Sequence, residues 1–169
     1  FLGSEVQHDF KENALKLTVK KCIRDSAEEH DHPTGTRMVD TPAETDRLKP
    51  AESGEPMADN TKHRSLVGSL MHLAVNVRPD ISHAVNQCSR FLQNPSQEHM
   101  KAALRTLANL IRTIELGLEF PAVFDECPEI EVHTDSDCMG AVNSEGELRT
   151  CGGHPVFHKG DPVSWSSKT

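Results

Sequence analysis

Apolar and polar residues alternate in two short runs near the start of the chain, residues 1–9 and 14–20. The polar run from Asp9 to Asn13 between them has the composition of a turn. A period of two is typical of half-buried strands, so this pattern predicts a β-hairpin. Because an isolated hairpin is marginally stable in water, we expect it to pack against another element.

Residues 31–60 show neither a strand period nor a helix period. Four prolines recur there among Gly, Asp, Glu and Thr, and large apolar residues are few. Such a composition buries too little apolar surface to offset the entropy of ordering the backbone. We therefore predict an extended or mobile linker between a first unit, the hairpin and a helix in residues 1–30, and the segment that follows.

A helical period dominates residues 61–118. Asn60 or Thr61 is the predicted N-cap of a first helix, and Pro79 suits the first position of a second. Two apolar stripes mark the second and third helices and are expected to form a core. Their residues are Ile81, Ala84, Val85, Cys88, Phe91 and Leu92, and then Met100, Ala103, Leu104, Leu107, Leu110 and Ile111.

The third helix is predicted to begin after Ser96, to run from Gln97 to Glu115, and to be closed by Gly117. Short connections join the three helices, so residues 61–118 predict a small helical subdomain. Residues 119–128 then read as a connection bounded by prolines.

Strand patterns return in residues 129–169 and predict three antiparallel strands. No helical pattern follows to cover this sheet, and a sheet bare on both faces is not a stable end-point. We therefore expect the chain to be part of a larger protein. The predicted fold class is α+β: a hairpin, a proline-rich linker, three helices and an incomplete sheet.

Composition indicates the cellular compartment of the protein and bears on membrane association. Only 36% of the 169 residues are hydrophobic, and Tyr is missing. Five irregularly spaced cysteines argue against a secreted disulfide framework and favour a reducing, intracellular compartment. The sequence contains no apolar run long enough for a transmembrane helix, so no membrane partner is expected.

Charge is distributed unevenly around a net value of −8. Residues 61–118 carry 7 basic and 3 acidic side chains, a net charge of +4, while both flanking segments are acidic. Because phosphate binding needs Lys and Arg, this segment is the plausible nucleic-acid surface, although an ordinary solvated helix face explains it as well. Its candidate residues are Arg64, Arg78, Arg90, Lys101, Arg105 and Arg112.

Asp135 and Asp137 follow an apolar strand and lie two residues apart. On a continuous strand they would share a face, where a hard cation such as Mg²⁺ could relieve their repulsion. Two-metal nucleases need several carboxylates from different elements, and a lone Asp-x-Asp also suits a surface loop. Both interpretations stay open on spacing alone.

The ordered motifs resemble the Pol polyprotein of copia-type retrotransposons over nearly the whole chain. The helical segment contains RSLVGSL, RPDI, SRF and NP-x-x-EH-x-KAALR, which recur in that family. FLGSEV with ALKLTVKKCI resembles the last strands of the reverse transcriptase palm. HTDSDCMGAV, RTCGG and GDPVSWSSKT resemble the opening of the RNase H domain.

The resemblance implies a role for each unit. Residues 61–118 would form a thumb or connection that grips an RNA/DNA hybrid, and residues 129–169 would begin an RNase H-like domain. Asp135 matches the first metal-binding carboxylate of the RNase H site, and Asp137 matches a family Asp of less defined role. Mg²⁺ belongs to the intact family site. The remaining catalytic carboxylates would lie outside these residues, so we expect the chain to be inactive in isolation.

Histidine stands at four positions where the family usually has Tyr: His63, His72, His83 and His154. A polar ring in an apolar site costs free energy unless it finds a partner. The replacements are consistent with drift in an inactive copy and equally with an unusual but intact lineage. Three functions follow as alternatives. They are a segment of a reverse transcriptase/RNase H enzyme, a non-catalytic nucleic-acid-binding module, and a domesticated structural protein.

Overall fold

The computed structural model describes residues 3–32, 39–44, 47–52, 57–121, 128–142 and 147–168, with the backbone alone at 137–142 and 148–149. Its α+β architecture, with two antiparallel sheets, confirms the predicted fold class. The strands are β1 Glu5–Asp9, β2 Ala14–Thr18, β3 Leu118–Phe120, β4 Ile130–Val132, β5 Asp135–Val142, β6 Leu148–His158 and β7 Asp161–Lys168. The helices are α1 Lys20–Glu29, α2 Asn60–Asn76, α3 Ser82–Ser89 and α4 Gln97–Arg112, with a 3₁₀ turn at Pro79–Ile81 before α3.

The predicted N-terminal hairpin is present, with β1 and β2 antiparallel from Glu5↔Thr18 to Asp9↔Ala14. The Asp9 carboxylate closes the turn by accepting hydrogen bonds from the backbone N–H groups of Lys11, at 2.8 Å, and Glu12, at 3.2 Å. These bonds to the ionised form lower the pKa of Asp9.

A third strand completes this sheet, which corrects the prediction of a simple connection after Leu118. Strand β3 pairs with β2 in the register Lys16↔Glu119. Gly117 permits the approach, because a Cβ at this position would collide with the carbonyl oxygen of Leu17. The expectation that the hairpin packs against another element is thus met by a strand about 100 residues away.

The helix termini correct two details of the sequence interpretation. Asp59, rather than Asn60 or Thr61, caps α2, since its side chain accepts hydrogen bonds from the next turn. Helix α4 ends at Arg112 instead of Glu115, and Gly117 does not close it. At the other end the prediction is confirmed, because Ser96 forms a capping box with His99.

The helical stripes form the core as predicted. The side chains of Ile81, Val85, Leu107 and Leu110 are fully buried, while Met100, Leu104 and Ile111 pack partly buried against the same cluster. Helix α1 adds Ile23, which is also fully buried. The hairpin sheet joins this core through Leu118 of β3. The core therefore lies between the helices and the N-terminal sheet.

The C-terminal sheet has three rows of strand, in agreement with the prediction. Strands β4 and β5 lie end to end along one edge of β6, and β7 lies along the other. They keep one register on β6 across the break at His133 and Thr134, and a bulge follows between Asp137 and Ala141. The first predicted strand is therefore interrupted at His133 and Thr134, but both of its parts pair with β6 in the same register.

One face of this sheet is partly covered, which corrects the expectation of a sheet bare on both sides. Trp165 of β7 packs against the helical core and donates a hydrogen bond to the carbonyl of Ala74 in α2. Among the described residues, no helix has the length and apolarity that would be needed to cross a membrane.

Candidate functional site

Asp135 begins β5, opposite Gly153 of β6, and its side chain is exposed. Since paired residues share a sheet face and faces alternate along a strand, Asp135 lies on the same face as Pro155 and Trp165. That face is turned toward the helices. The predicted catalytic carboxylate is therefore directed toward the helical subdomain.

A cavity of about 880 Å³ separates this face from the 3₁₀ turn and α3. Asp135 lines it from the sheet, and Asp80 and His83 line it from the helices. Its other described walls include Arg47, His133, Cys151, Phe157 and Trp165. The cavity thus has Asp135 on one wall and polar groups of a segment about 50 residues earlier in the chain on another.

The described side chains do not fit a complete Mg²⁺ site. No group of three or more His, Cys, Asp or Glu side chains with metal-binding geometry occurs in the part of the chain that the structure describes. The carboxylate of Asp80, on the other wall of the cavity, is already held by Arg78, at 2.7 and 2.9 Å. The backbone of Asp137 pairs with Cys151, but its side chain lies outside the described part.

Arg78 is 1% exposed, and its guanidinium holds two separate segments together. Besides Asp80, its guanidinium donates to the carbonyl oxygen of Thr113 at 3.1 Å and to the Thr113 hydroxyl at 2.6 Å. It therefore ties the residue after α4 to the turn before α3. Of the six predicted phosphate-binding residues, it presents the least surface to a ligand.

Arg64 and Arg90 are both held by hydrogen bonds near the C-terminal end of α3. The Nε of Arg64 donates to the carbonyl of Leu92 at 3.0 Å, although the side chain is exposed. Arg90 donates to Gln87 at 2.6 Å and lies 5.6 Å from the ring of Phe91. Burial lowers the pKa of Arg90, and this effect exceeds the opposing one of Cys151.

The remaining three basic residues, Lys101, Arg105 and Arg112, lie on α4. Positions four and seven residues apart follow one side of a helix, so these charges form a single stripe. Lys101 is exposed and lies 4.0 Å from Glu98. The structure therefore brings half of the predicted basic set together.

Acidic linker residues contact this stripe, a feature that the sequence interpretation missed. Glu44 accepts a 3.1 Å hydrogen bond from Arg105, and Asp40 forms an ion pair with Arg112. The sequence signal for this contact was charge, since an acidic linker precedes a basic helical segment. Charge alone did not indicate which residues pair.

The four histidines at positions of expected aromatic residues have different environments. His72, His83 and His154 are exposed, so they carry little desolvation cost. His63 is fully buried, and neither ring nitrogen has a hydrogen-bond partner in the described part of the chain. Its pKa is lowered by burial and by the neighbouring His99, against a weaker opposing contact with the His99 backbone.

Comparison with known proteins finds relatives among retrotransposon products. The Pol polyprotein of transposon RE1 from Arabidopsis thaliana is 33% identical over 168 residues, 99% of this chain and 11% of the polyprotein. That of transposon TNT 1-94 from Nicotiana tabacum is 37% identical over 106 residues, 63% of this chain and 8% of the polyprotein. The chain thus spans about a tenth of the length of these polyproteins.

A relative of different description is the secreted RxLR effector protein 161 of Plasmopara viticola. It is 35% identical over 109 residues, which are 64% of this chain and 73% of that protein. No family model matches the chain. No solved structure matches it either.

Proposed function

Because the chain belongs to the retrotransposon Pol family, we propose that it corresponds to the part of a copia-type polyprotein that joins reverse transcriptase to RNase H. In this proposal the N-terminal sheet ends the palm, the helices form the thumb or connection, and the C-terminal sheet begins the RNase H domain. The remainder of the polyprotein is its partner.

The order of the folded units carries this proposal. A sheet is followed by a basic helical layer and then by a second sheet, whose interrupted edge strand bears Asp135. The similarity to the RE1 polyprotein runs through all three units, over 99% of the chain. No single unit would be specific for this family. The order of the three units along one chain, however, is the order expected for this region of Pol.

We further propose that the α4 stripe contacts the phosphates of an RNA/DNA hybrid. Lys101, Arg105 and Arg112 place three positive charges on one side of a helix, where Lys101 and Arg112 are exposed and Arg105 is half-buried. A hybrid presents regularly spaced phosphates, and each neutralised phosphate releases counterions. Binding should therefore weaken steeply as salt rises.

Fluorescence anisotropy with a labelled RNA/DNA hybrid tests this function at 50 and 200 mM salt. The triple variant K101A/R105A/R112A should bind more weakly than the wild type, with a shallower dependence of log Kd on log salt. The charge-matched control K11A/K21A/K168A removes three exposed lysines elsewhere and should bind like the wild type. Equal losses in the two variants would reject the α4 interface.

In the intact polyprotein, Mg²⁺ bound at the RNase H site would supply the cleavage chemistry, with Asp135 as one carboxylate. The chain alone is proposed to bind without cleaving, because this site needs carboxylates from several elements. We also propose an intracellular location. The described cysteines Cys22, Cys88 and Cys151 are free thiols, which suits a reducing compartment.

A second candidate function is a recruited role apart from polymerase chemistry. The similarity to an oomycete effector favours it, since this chain spans 73% of that short protein. A recruited protein should fold alone and need not bind a hybrid. Cooperative unfolding of the purified chain without salt-dependent hybrid binding would support this candidate over the first.

A further inference from the structure

A strap, formed by residues 39–44 and 47–49 of the linker, lies along α4 in the opposite direction to the helix, and it carries the acidic residues Asp40 and Glu44. Contacts run from Asn109 with Val39 to His99 with Lys49. No regular helix or strand is present in the strap. It is therefore held by side chains of α4 instead of by backbone pairing with a sheet.

Buried polar side chains of α4 bind the strap backbone. Thr106 is 0% exposed, and its hydroxyl is shared between the carbonyls of Pro42 in the strap and Ala102 in α4, both at 3.1 Å. Asn109, 3% exposed, donates to the carbonyl of Val39 at 3.2 Å. His99 is 1% exposed and donates from Nε2 to the carbonyl of Lys49 at 2.8 Å.

The protonation of His99 follows from its other bond, because its Nδ1 accepts a hydrogen bond from the backbone N–H of Ser96. The three donors bind backbone carbonyl groups of the strap rather than its side chains. They make this face of α4 a groove for the backbone of an extended peptide.

The acidic side chains of the strap cover two arginines of the stripe. Arg105 donates to Glu44 at 3.1 Å and to the hydroxyl of Thr41 at 3.0 Å, and Arg112 pairs with Asp40. The carboxylate side chains are 70% and 83% exposed, so water and salt screen these ion pairs. The ion pairs are thus easier to displace than the buried carbonyl contacts.

We propose that the strap is an internal competitor for nucleic-acid phosphate: its backbone stays bound to α4, while Asp40 and Glu44 occupy the guanidinium groups that a hybrid needs. This inference rests on the proposed function of the stripe. The carboxylates occupy the two arginines until a phosphate replaces them. The wild-type chain therefore binds the hybrid more weakly, and with less salt dependence, than it would if the strap carboxylates did not cover the two arginines.

The test neutralises the strap without changing its shape. The D40N/E44Q variant should bind the hybrid about tenfold more tightly at 50 mM salt and steepen the salt slope by up to about two, since each freed arginine adds one phosphate contact. The control E12Q/E129Q changes net charge equally at two exposed positions outside the strap and should show a much smaller gain. Adding R105A/R112A to D40N/E44Q should remove the gain.

Two further readouts separate this inference from the function on which it rests. Trypsin cleavage after Arg47, followed by mass spectrometry, should be equally slow in the wild type and D40N/E44Q. It should be faster in T106V/N109L, which removes two of the three carbonyl donors. Elution from immobilised heparin should need more salt for D40N/E44Q than for E12Q/E129Q.

If D40N/E44Q and E12Q/E129Q elute from heparin at the same salt concentration and bind the hybrid with the same affinity, the strap is not a competitor. Hybrid binding by the wild type would still support the proposed function. If the heparin difference appears without any hybrid binding, the arginines are masked as proposed and the hybrid-binding function is refuted. Faster cleavage of D40N/E44Q at Arg47 would refute the claim that the backbone contacts hold the strap.

Discussion

The indole Nε1 of Trp165 donates a 2.7 Å hydrogen bond to the backbone carbonyl of Ala74. Ala74 lies in the last turn of α2, where helix carbonyls have no partner within the helix. The same ring packs against the helical core. One side chain therefore both caps a helix and holds the C-terminal sheet against the helical subdomain.

Replacing Trp165 with Phe should keep the aromatic packing and remove the donor. We expect the free energy of unfolding to fall by about 1–3 kcal/mol, because the Ala74 carbonyl loses its partner. Urea denaturation followed by far-ultraviolet circular dichroism measures this. The control V163A changes a 55% exposed side chain on the same strand and should cost less than about 0.5 kcal/mol. Equal losses would contradict the capping role.

Acid should destabilise the protein through His63. Its folded pKa lies below the ordinary value of 6.5, so between the two values the unfolded chain binds a proton that the folded chain does not. The stabilisation by neutral His63 is complete above pH 6.5 and is lost as pH falls toward the folded pKa. The loss should reach at most about 1.4 kcal/mol per pH unit for this one proton.

Urea titrations at pH 7.5, 6.5 and 5.5 measure this dependence. H63F should unfold with a weaker pH dependence, leaving a smaller slope from His32, whose pKa is also lowered by burial. The control H72F replaces an exposed ring and should retain the full slope. An unchanged slope in H63F would show that His63 is not the sensor.

Two glycines should respond to alanine in opposite directions. At Gly117 a Cβ would meet the Leu17 carbonyl, so G117A should cost about 1–3 kcal/mol through displacement of β3 from β2. At Gly68, within α2, no atom lies within 4 Å of the added Cβ. G68A should stabilise by about 0.5–1 kcal/mol because Ala favours the helix. Thermal unfolding of both variants provides the comparison, and a neutral G117A would argue against the β2–β3 pairing.

The purified chain should not cleave the RNA strand of a hybrid in the presence of Mg²⁺. Within the described residues, Asp135 has no set of metal-binding partners around it. A gel assay with labelled hybrid should therefore show equal background for the wild type and D135N. Cleavage by the wild type that D135N abolishes would mean that a complete site forms after all.

Local chemistry accounts for most of the helical unit. The apolar stripes of α3 and α4 and the Ser96 cap follow from neighbours three or four residues apart, so sequence periodicity predicted them. The strand pattern also predicted that Asp135 lies at a strand, and the charge distribution identified the basic segment. The predicted α2 cap was wrong by one or two residues and the predicted end of α4 by three, because helix ends depend on side-chain contacts that the period does not encode.

The sequence by itself therefore determined most of the elements, their order and, through its motifs, the family. Tertiary structure alone decided that Leu118–Phe120 joins β2, that Arg78 is buried, and that Asp40 and Glu44 cover Arg112 and Arg105. These contacts link residues about 35 to 100 positions apart. Such pairs leave no local period, because their partners are chosen by how the packed elements meet in space.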